Sequence, residues 1–270
     1  MKYETLANGE RIPVIGLGTW NIGGGMSADR SRDRQMVDLL RTALDMGYRH
    51  FDTAEMYGGG HTEELLGRAI KGLEREEVFI TTKVSPSNLR YAGVRQALEG
   101  SLRRLDTDYV DLYLIHWPSH SIPLEESFRA LNEAVEQGKV RRLGVSNFSL
   151  GELERARALS NPPIATNQVP YSLTSRRYTQ NGVLAYCQES GVLLTAYSPL
   201  LGGVLGNRVV QEIARRHGAA PAQVALNWLI RQPRVITIPK SARPEHLRAN
   251  LEAVDLELSP EEVDRLDRLG

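Results

Sequence analysis

The sequence predicts an α/β fold in which eight parallel strands close into a barrel, on three observations. Short β-branched runs alternate with longer runs of helical period, which is the sign of successive βα units. There are eight such runs, and no Ser/Pro-rich linker or low-complexity stretch divides them. The G-x-G-x-x-G that would announce a doubly wound open sheet is missing from the first βα turn, where GLGTW and GGG stand instead.

Taken in order, a small hairpin is expected over about residues 3–13, and strands at 14–19, 49–53, 78–83, 110–116, 140–146, 164–169, 191–198 and 235–239. The connections switch to helical spacing: Met36, Leu40, Ala43 and Leu44 in the first, Val94, Ala97, Leu98, Leu102 and Leu105 in the third. Gly47, Gly72, Gly138, Gly191 and Gly218 follow helical runs as stop signals, and Pro123 and Pro221 stand near helix starts. The seventh connection is longer and reads as two helices, about 208–217 and 222–231. Ser259 with Pro260, Glu261 and Glu262 reads as the cap and first turn of a terminal helix, so one domain over residues 1–270 is expected. The glycine triplets at 23–25 and 58–60 read as mobile turns.

With 270 residues and 41% hydrophobic content the chain can bury a substantial core. Thirty-three basic and 33 acidic residues leave no net charge, and no basic stripe interleaved with aromatics marks a nucleic-acid partner. The start, MKYETLANGE, lacks an apolar targeting core, and no run reaches the roughly 20 apolar residues of a membrane helix. A cytoplasmic enzyme is expected. The single Cys187 permits no internal disulfide and shares a helical face with Val183 and Leu184, the pattern of a core thiol.

Chemistry enters with Asp52, Tyr57, Lys83 and His116. Asp52 closes HFD, Lys83 ends VFITTK, His116 ends VDLYLIH, and Tyr57 lies five residues after Asp52. In a parallel barrel those strand ends share one rim, so distant residues converge. A phenol with a pKa near 10 is a poor proton donor at neutral pH. A neighbouring ammonium lowers that value, and a carboxylate keeps the ammonium charged and oriented. Tyr57 is therefore the candidate acid, Lys83 its activator, Asp52 the anchor, and His116 a donor to a carbonyl oxygen. Each alone has a plainer reading: a structural ion pair, a packed tyrosine, a strand-capping histidine. His50, His61, His120, His217 and His246 lack such placement, and surface or loop roles are expected for them, with an occasional substrate contact for His61 beside Tyr57. A metal-dependent barrel hydrolase competes, since His and Asp at strand ends also bind metals, but H-x-H and H-E-x-x-H are absent and no metal is expected.

FDTAEMYG, the lysine ending the third strand, LIHWP, GVSNF, NQVPY, AYSPL and IPKS resemble, in order and over essentially the whole chain, the aldo-keto reductase family. The resemblance implies NADPH-dependent reduction of aldehydes or ketones, keto acids and keto esters included, by Asp52, Tyr57, Lys83 and His116. It places Gly18, Thr19, Trp20 and Asp52 beside the cofactor, and gives Ser146, Asn147 and Gln168 the nicotinamide carboxamide, with Tyr197 stacked on its ring. Ser198 and Leu200 would meet the pyrophosphate, and Lys240 and Ser241 the adenosine 2′-phosphate. Many members carry Arg six and Glu nine residues after that lysine, where this chain has His246 and Ala249, while Asn250 keeps the expected Asn. Arg243 is then the candidate guanidinium, so NADP(H) is expected and NAD(H) left open. Trp20, Met56 and Trp117 suggest an aromatic-walled substrate pocket, whereas Trp228 sits in a helical run and reads as core. The short connection after His116 and the short stretch after the terminal helix predict an open site of broad tolerance. Resemblance also implies a monomer, and some relatives suggest an alternative, a nucleotide-binding regulatory subunit with little turnover.

Overall fold

The computed structural model describes residues 2–6 and 9–269. Its elements, in order, are β1 (Tyr3–Thr5), β2 (Arg11–Pro13), β3 (Leu17–Gly18), α1 (Asp33–Asp45), β4 (His50–Asp52), α2 (His61–Ile70), β5 (Phe79–Val84) and α3 (Tyr91–Leu105). There follow β6 (Leu112–Ile115), α4 (Leu124–Glu136), β7 (Leu143–Ser146), α5 (Leu150–Leu159), β8 (Thr166–Pro170), α6 (Arg177–Gln180), α7 (Val183–Ser190) and β9 (Leu193–Tyr197). The chain closes with α8 (Arg208–Arg216), α9 (Pro221–Ile230), β10 (Val235–Thr237), α10 (Pro244–Glu252) and α11 (Pro260–Asp267). Packing groups these into two compact units, Gly18–Asn167 and Met1–Leu17 together with Gln168–Gly270. Ala7 and Asn8, in the turn of the expected hairpin, and the terminal Gly270 lie outside the described residues.

In the Gly18–Asn167 unit β4, β5, β6 and β7 pair parallel and in chain order, with Asp52 opposite Thr81 and Lys83 opposite Leu114. Every residue of β4, β6 and β7 is buried, as strands covered on both faces must be. The helix α1 turns Val37, Leu40, Ala43 and Leu44 inward and stops at Gly47, whose φ of 104° carries the chain out of the helix. The expected strand at 14–19 is divided in its pairing. Ile15 bridges Thr237 of β10 within one unit, while Thr19 N–H donates to Asp52 O at 3.0 Å within the other. The strands expected from 110 and 140 begin later, because Val110 and Val140 meet only in an isolated bridge.

In the second unit β1 and β2 form the expected hairpin, with Tyr3 opposite Pro13, and β9 pairs parallel with β10. Its core gathers Val169, Leu194, Val224, Trp228, Leu229 and Leu266. Burying an apolar side chain of this size contributes roughly 1.5–3 kcal/mol each. Trp228 is core, as its spacing predicts, and its indole N–H is satisfied by Asp267 Oδ1 at 2.8 Å. Cys187 is fully buried on α7, and Ser259 caps α11 through Glu262 N–H at 3.2 Å. No helix among the described residues is long and apolar enough to cross a membrane.

Candidate active site

Alternation along β4 and β5 turns His50 and Asp52 to one face, with Thr81 and Lys83 beside them. His50 Nε2 lies 3.0 Å from Thr81 Oγ1, and one step towards the carboxyl ends Lys83 Nζ donates to Asp52 Oδ1 at 2.6 Å. The ammonium also donates to Thr53 O at 2.8 Å and to the Tyr57 hydroxyl at 3.3 Å, so its three protons are all engaged. The side chains of Lys83 and Asp52 are 0% and 2% exposed. His116 follows β6, and its backbone N–H donates to Val84 O at 3.0 Å. Its ring stands 5.7 Å from that of Tyr57, in edge-to-face contact. The structure thus brings Asp52, Tyr57, Lys83 and His116 into one group, in which Tyr57 is half-buried and the other three are buried.

Burial alone would push the Lys83 ammonium down, but the charges and hydrogen bonds of Asp52 and Tyr57 outweigh it and hold the group above its ordinary value. For Tyr57 the balance runs against the sequence expectation. Burial raises the phenol above its usual value, and the pull of Lys83, opposed by Asp52, does not overcome it. The phenol therefore keeps its proton at neutral pH. Burial, reinforced by Lys83, pushes His116 down to about 2, so its imidazole is neutral, and its Nδ1 has no hydrogen-bond partner among the described residues.

Exposed aromatics flank the group. Trp20 meets Tyr57 edge-on at 5.0 Å, and Trp117 stacks on His116 at 3.9 Å. They are 39% and 38% exposed in a protein whose other large aromatics are mostly covered, and Met56 beside them is half-buried. Thr19 Oγ1 donates to Asp52 O at 2.8 Å, and Gly18 just before it is buried in β3. Asn147, left-handed at φ 65°, donates from Nδ2 to His116 O and to Ser146 Oγ, each at 3.0 Å. In the second unit Gln168 is buried on β8, Tyr197 ends β9, Ser198 is left-handed at φ 51°, and Leu200 is half-buried. At the start of α10 Ser241 Oγ accepts from Arg243 N–H at 3.1 Å, while Lys240, Arg243 and His246 are exposed and Asn250 is buried.

The Aldo/keto reductase family model matches residues 14–270. The chain belongs to the aldo-keto reductase family. It is 41% identical to methylglyoxal reductase YeaE of Escherichia coli over 95% of this chain and 90% of that protein. To the glyoxal reductase of Bacillus subtilis it is 39% identical over 98% of the chain and 91% of the relative. Among solved structures, the thermostable aldo-keto reductase Tm1743, in complex with the inhibitor epalrestat, superposes with a TM-score of 0.97 at 52% identity over the whole of both chains. A Klebsiella pneumoniae aldo-keto reductase in complex with NADP and acetate gives 0.88 at 39% identity, over 98% and 93%. Likeness at this level gives the chain the fold of the family, the α/β barrel expected from its strand count.

Against this aldo-keto reductase framework several sequence expectations change. His50 and His61 are buried, not superficial: each sits on an element packed inside the Gly18–Asn167 unit. Burial, with help from Lys83, takes His50 down to about 3. His217, whose Nε2 lies 2.9 Å from Glu262 Oε2, is exposed as expected, and so are His120 and His246. The two glycine triplets are not independent turns, because Gly58 N–H donates to Gly25 O at 2.6 Å. Sequence reasoning also missed Glu55, whose Oε1 accepts from Ser85 N–H at 2.5 Å and Asn88 Nδ2 at 3.0 Å, tying the Tyr57 loop to the one after Lys83. Glu63 was missed too; fully buried, it accepts from Thr82 Oγ1 at 2.5 Å and Arg104 Nε at 2.7 Å. Neither belongs to a local pattern.

Proposed function

We propose that this aldo-keto reductase reduces small aldehydes and ketones, vicinal dicarbonyls of the methylglyoxal type included, to alcohols with NADPH, Tyr57 giving the proton. The observation that carries this reading is Lys83 Nζ, sealed from solvent and bonded at once to the Asp52 carboxylate and the Tyr57 hydroxyl. The substrate class is that of relatives named methylglyoxal and glyoxal reductase.

The donor set fits a phosphorylated nicotinamide cofactor. Lys240 and Arg243 flank Ser241 where α10 begins, and neither cation pairs with a carboxylate among the described residues, which suits a phosphate monoester. Ser146, Asn147 and Gln168 offer the mixed donors and acceptors that a carboxamide needs, and Tyr197 a face for its ring. Gly18, Thr19, Trp20, Ser198, Leu200, His246 and Asn250 complete the cofactor set. When bound, the nicotinamide supplies the hydride.

The neutral His116 donates a hydrogen bond to the carbonyl oxygen and orients it. As negative charge gathers on that oxygen, the Tyr57 hydroxyl transfers its proton to it. The phenolate left behind is stabilised by Lys83, which Asp52 keeps charged, and solvent restores the proton. A raised phenol value in the resting protein suits this order, since the donor must be loaded before it acts. Trp20, Met56 and Trp117 would wall a shallow pocket, favouring small substrates and broad tolerance.

The test is loss of NADPH absorbance with methylglyoxal and a panel of aldehydes and ketones, wild type beside Tyr57→Phe, with cofactor binding read by protein fluorescence. Turnover should fall roughly 10²–10⁴-fold in the variant while NADPH still binds. Binding without wild-type turnover would favour a regulatory subunit, and equal turnover in both proteins would remove Tyr57 from its role.

A further inference from the structure

Tyr57 heads a turn with little stiffness of its own. Gly58, Gly59 and Gly60 follow it at φ of 60°, 61° and 95°, left-handed at three consecutive positions. Glycine reaches that region without strain, and for the same reason loses more freedom than any other residue when held there. The turn therefore needs support from outside itself.

Much of that support comes from the turn that follows Trp20. Besides the bond from Gly58 N–H to Gly25 O, Thr62 Oγ1 donates to Ile22 O at 2.6 Å. A Cβ on Gly58 would lie 2.9 Å from Gly23 O, so the two glycine turns touch backbone to backbone. His61 closes the seam. Its side chain is 1% exposed, with Nε2 2.7 Å from Asp33 Oδ1 and Nδ1 2.7 Å from Glu64 Oε2. A Cβ on Gly23 would come within 3.0 Å of the ring's Cδ2. Asp33 opens α1, after the first glycine turn, and Glu64 lies in the first turn of α2, after the second. One ring thus joins the starts of two helices whose preceding loops carry Trp20 and Tyr57.

The surrounding charges complete the arrangement. Arg68 of α2 donates to Asp33 Oδ2 at 3.1 Å, Arg30 of the loop before α1 donates to Glu64 Oε2 at 3.2 Å, and Asp29 stands nearby. The hydrogen bond from His61 is the main cause that holds Glu64 below the usual carboxylate range. Burial works against Asp33, yet His61 and Arg68 together bring it below that range as well. A neutral imidazole has one N–H, and both facing atoms are carboxylate oxygens, so the two bonds coexist only when both ring nitrogens carry protons.

We propose that His61, protonated on both nitrogens, is a positioning residue for the reduction: it fastens the Gly58–Gly60 turn to the Gly23–Gly25 turn and so holds Tyr57 beside Trp20 and over Lys83. The proposal rests on Tyr57 being the proton donor. His61 itself is buried away from the reacting atoms and acts through the turn.

The experiment compares wild type with His61→Ala and Glu64→Gln. A glutamine can donate to the ring as well as accept, so a singly protonated His61 satisfies both bonds in Glu64→Gln. Nitrogen NMR at neutral pH should find two ring protons on His61 in wild type and one in Glu64→Gln. Amide hydrogen exchange at Gly58–Gly60 should speed up roughly tenfold or more in His61→Ala. With NADPH and methylglyoxal, kcat should fall roughly tenfold in His61→Ala, with NADPH affinity within about twofold, and stay near wild type in Glu64→Gln. A singly protonated wild-type ring, unchanged turn exchange, or intact kcat beside a lowered Tm in His61→Ala would each overturn the proposal. If His61→Ala fails to fold, His61→Gln, which keeps one of the two bonds, takes its place. Absence of wild-type turnover would fault the carbonyl-reduction reading instead, and the NMR and exchange measurements would still judge the clamp.

Discussion

At the carboxyl ends of β4 and β5 the charged side chains are buried and bonded to one another, whereas at the start of α10 Lys240, Arg243 and His246 stand in solvent without carboxylate partners among the described residues. The first arrangement is fixed before any ligand arrives, because a buried ammonium survives only while its carboxylate stays in place. The second is held by nothing but the helix beneath it, and its cations are available to whatever anion comes. Chemistry that must recur identically at each turnover suits the first, and discrimination between cofactors differing by one phosphate suits the second.

The strongest way to break this contrast is Lys83→Met. It removes the ammonium that pairs with the buried Asp52 carboxylate, which should cost about 3–5 kcal/mol of stability, and with it the proposed activator of Tyr57. Urea unfolding and NADPH turnover should fall together, turnover by roughly 10³-fold. Loss of turnover with unchanged stability would mean that Asp52 has found another partner.

A second prediction follows from two neutral histidines, His50 at the start of β4 and His116 just past β6. His50 and His116 are held at about 3 and about 2, below their ordinary value of 6.5. Between those values and 6.5 the unfolded chain binds more protons than the folded one, so their contribution to stability is complete above 6.5 and fades as pH falls. Each steepens the acid slope by up to about 1.4 kcal/mol per pH unit. His50→Gln should therefore flatten stability between pH 6.5 and about 3, and an unaltered slope would show that His50 charges in the folded state.

The smallest expected effect lies at α10. Lys240→Ala should raise KM for NADPH roughly tenfold and leave KM for NADH nearly unchanged, with no loss of stability, since the side chain is exposed. Equal effects on both cofactors would sever Lys240 from the 2′-phosphate and sharpen the case for Arg243.

The same contrast governs what the sequence could reveal. Strand ends and helix stops are local, so Asp52, Lys83 and His116 could be placed at strand ends, and Gly47 and Ser259 at helix boundaries, from neighbouring residues alone. The glycine triplets were legible as turns, since three glycines leave the backbone little other preference. Their contact was not legible, because Gly25 and Gly58 lie 33 residues apart and hydrogen-bond through backbone atoms, which carry no residue identity. Glu55, Glu63 and His61 escaped for a related reason: each finds at least one partner some 28 to 41 residues away. The sign of the Tyr57 shift was out of reach too, because it depends on how far burial outweighs a neighbouring charge, and burial is a property of the packed molecule.

One consequence of the sealed lysine concerns self-protection. Reactive aldehydes condense with amines that have a free lone pair, and a reductase for such compounds would hold its substrate beside a lysine at every turnover. Lys83 keeps all three protons engaged with Asp52, Thr53 and Tyr57 and is held above its ordinary value, so it presents no nucleophile to the carbonyl. On the proposed reading, the contacts that would ready Tyr57 for proton transfer also make the nearest amine inert towards imine formation, and the enzyme would be spared inactivation by the compounds it is proposed to remove.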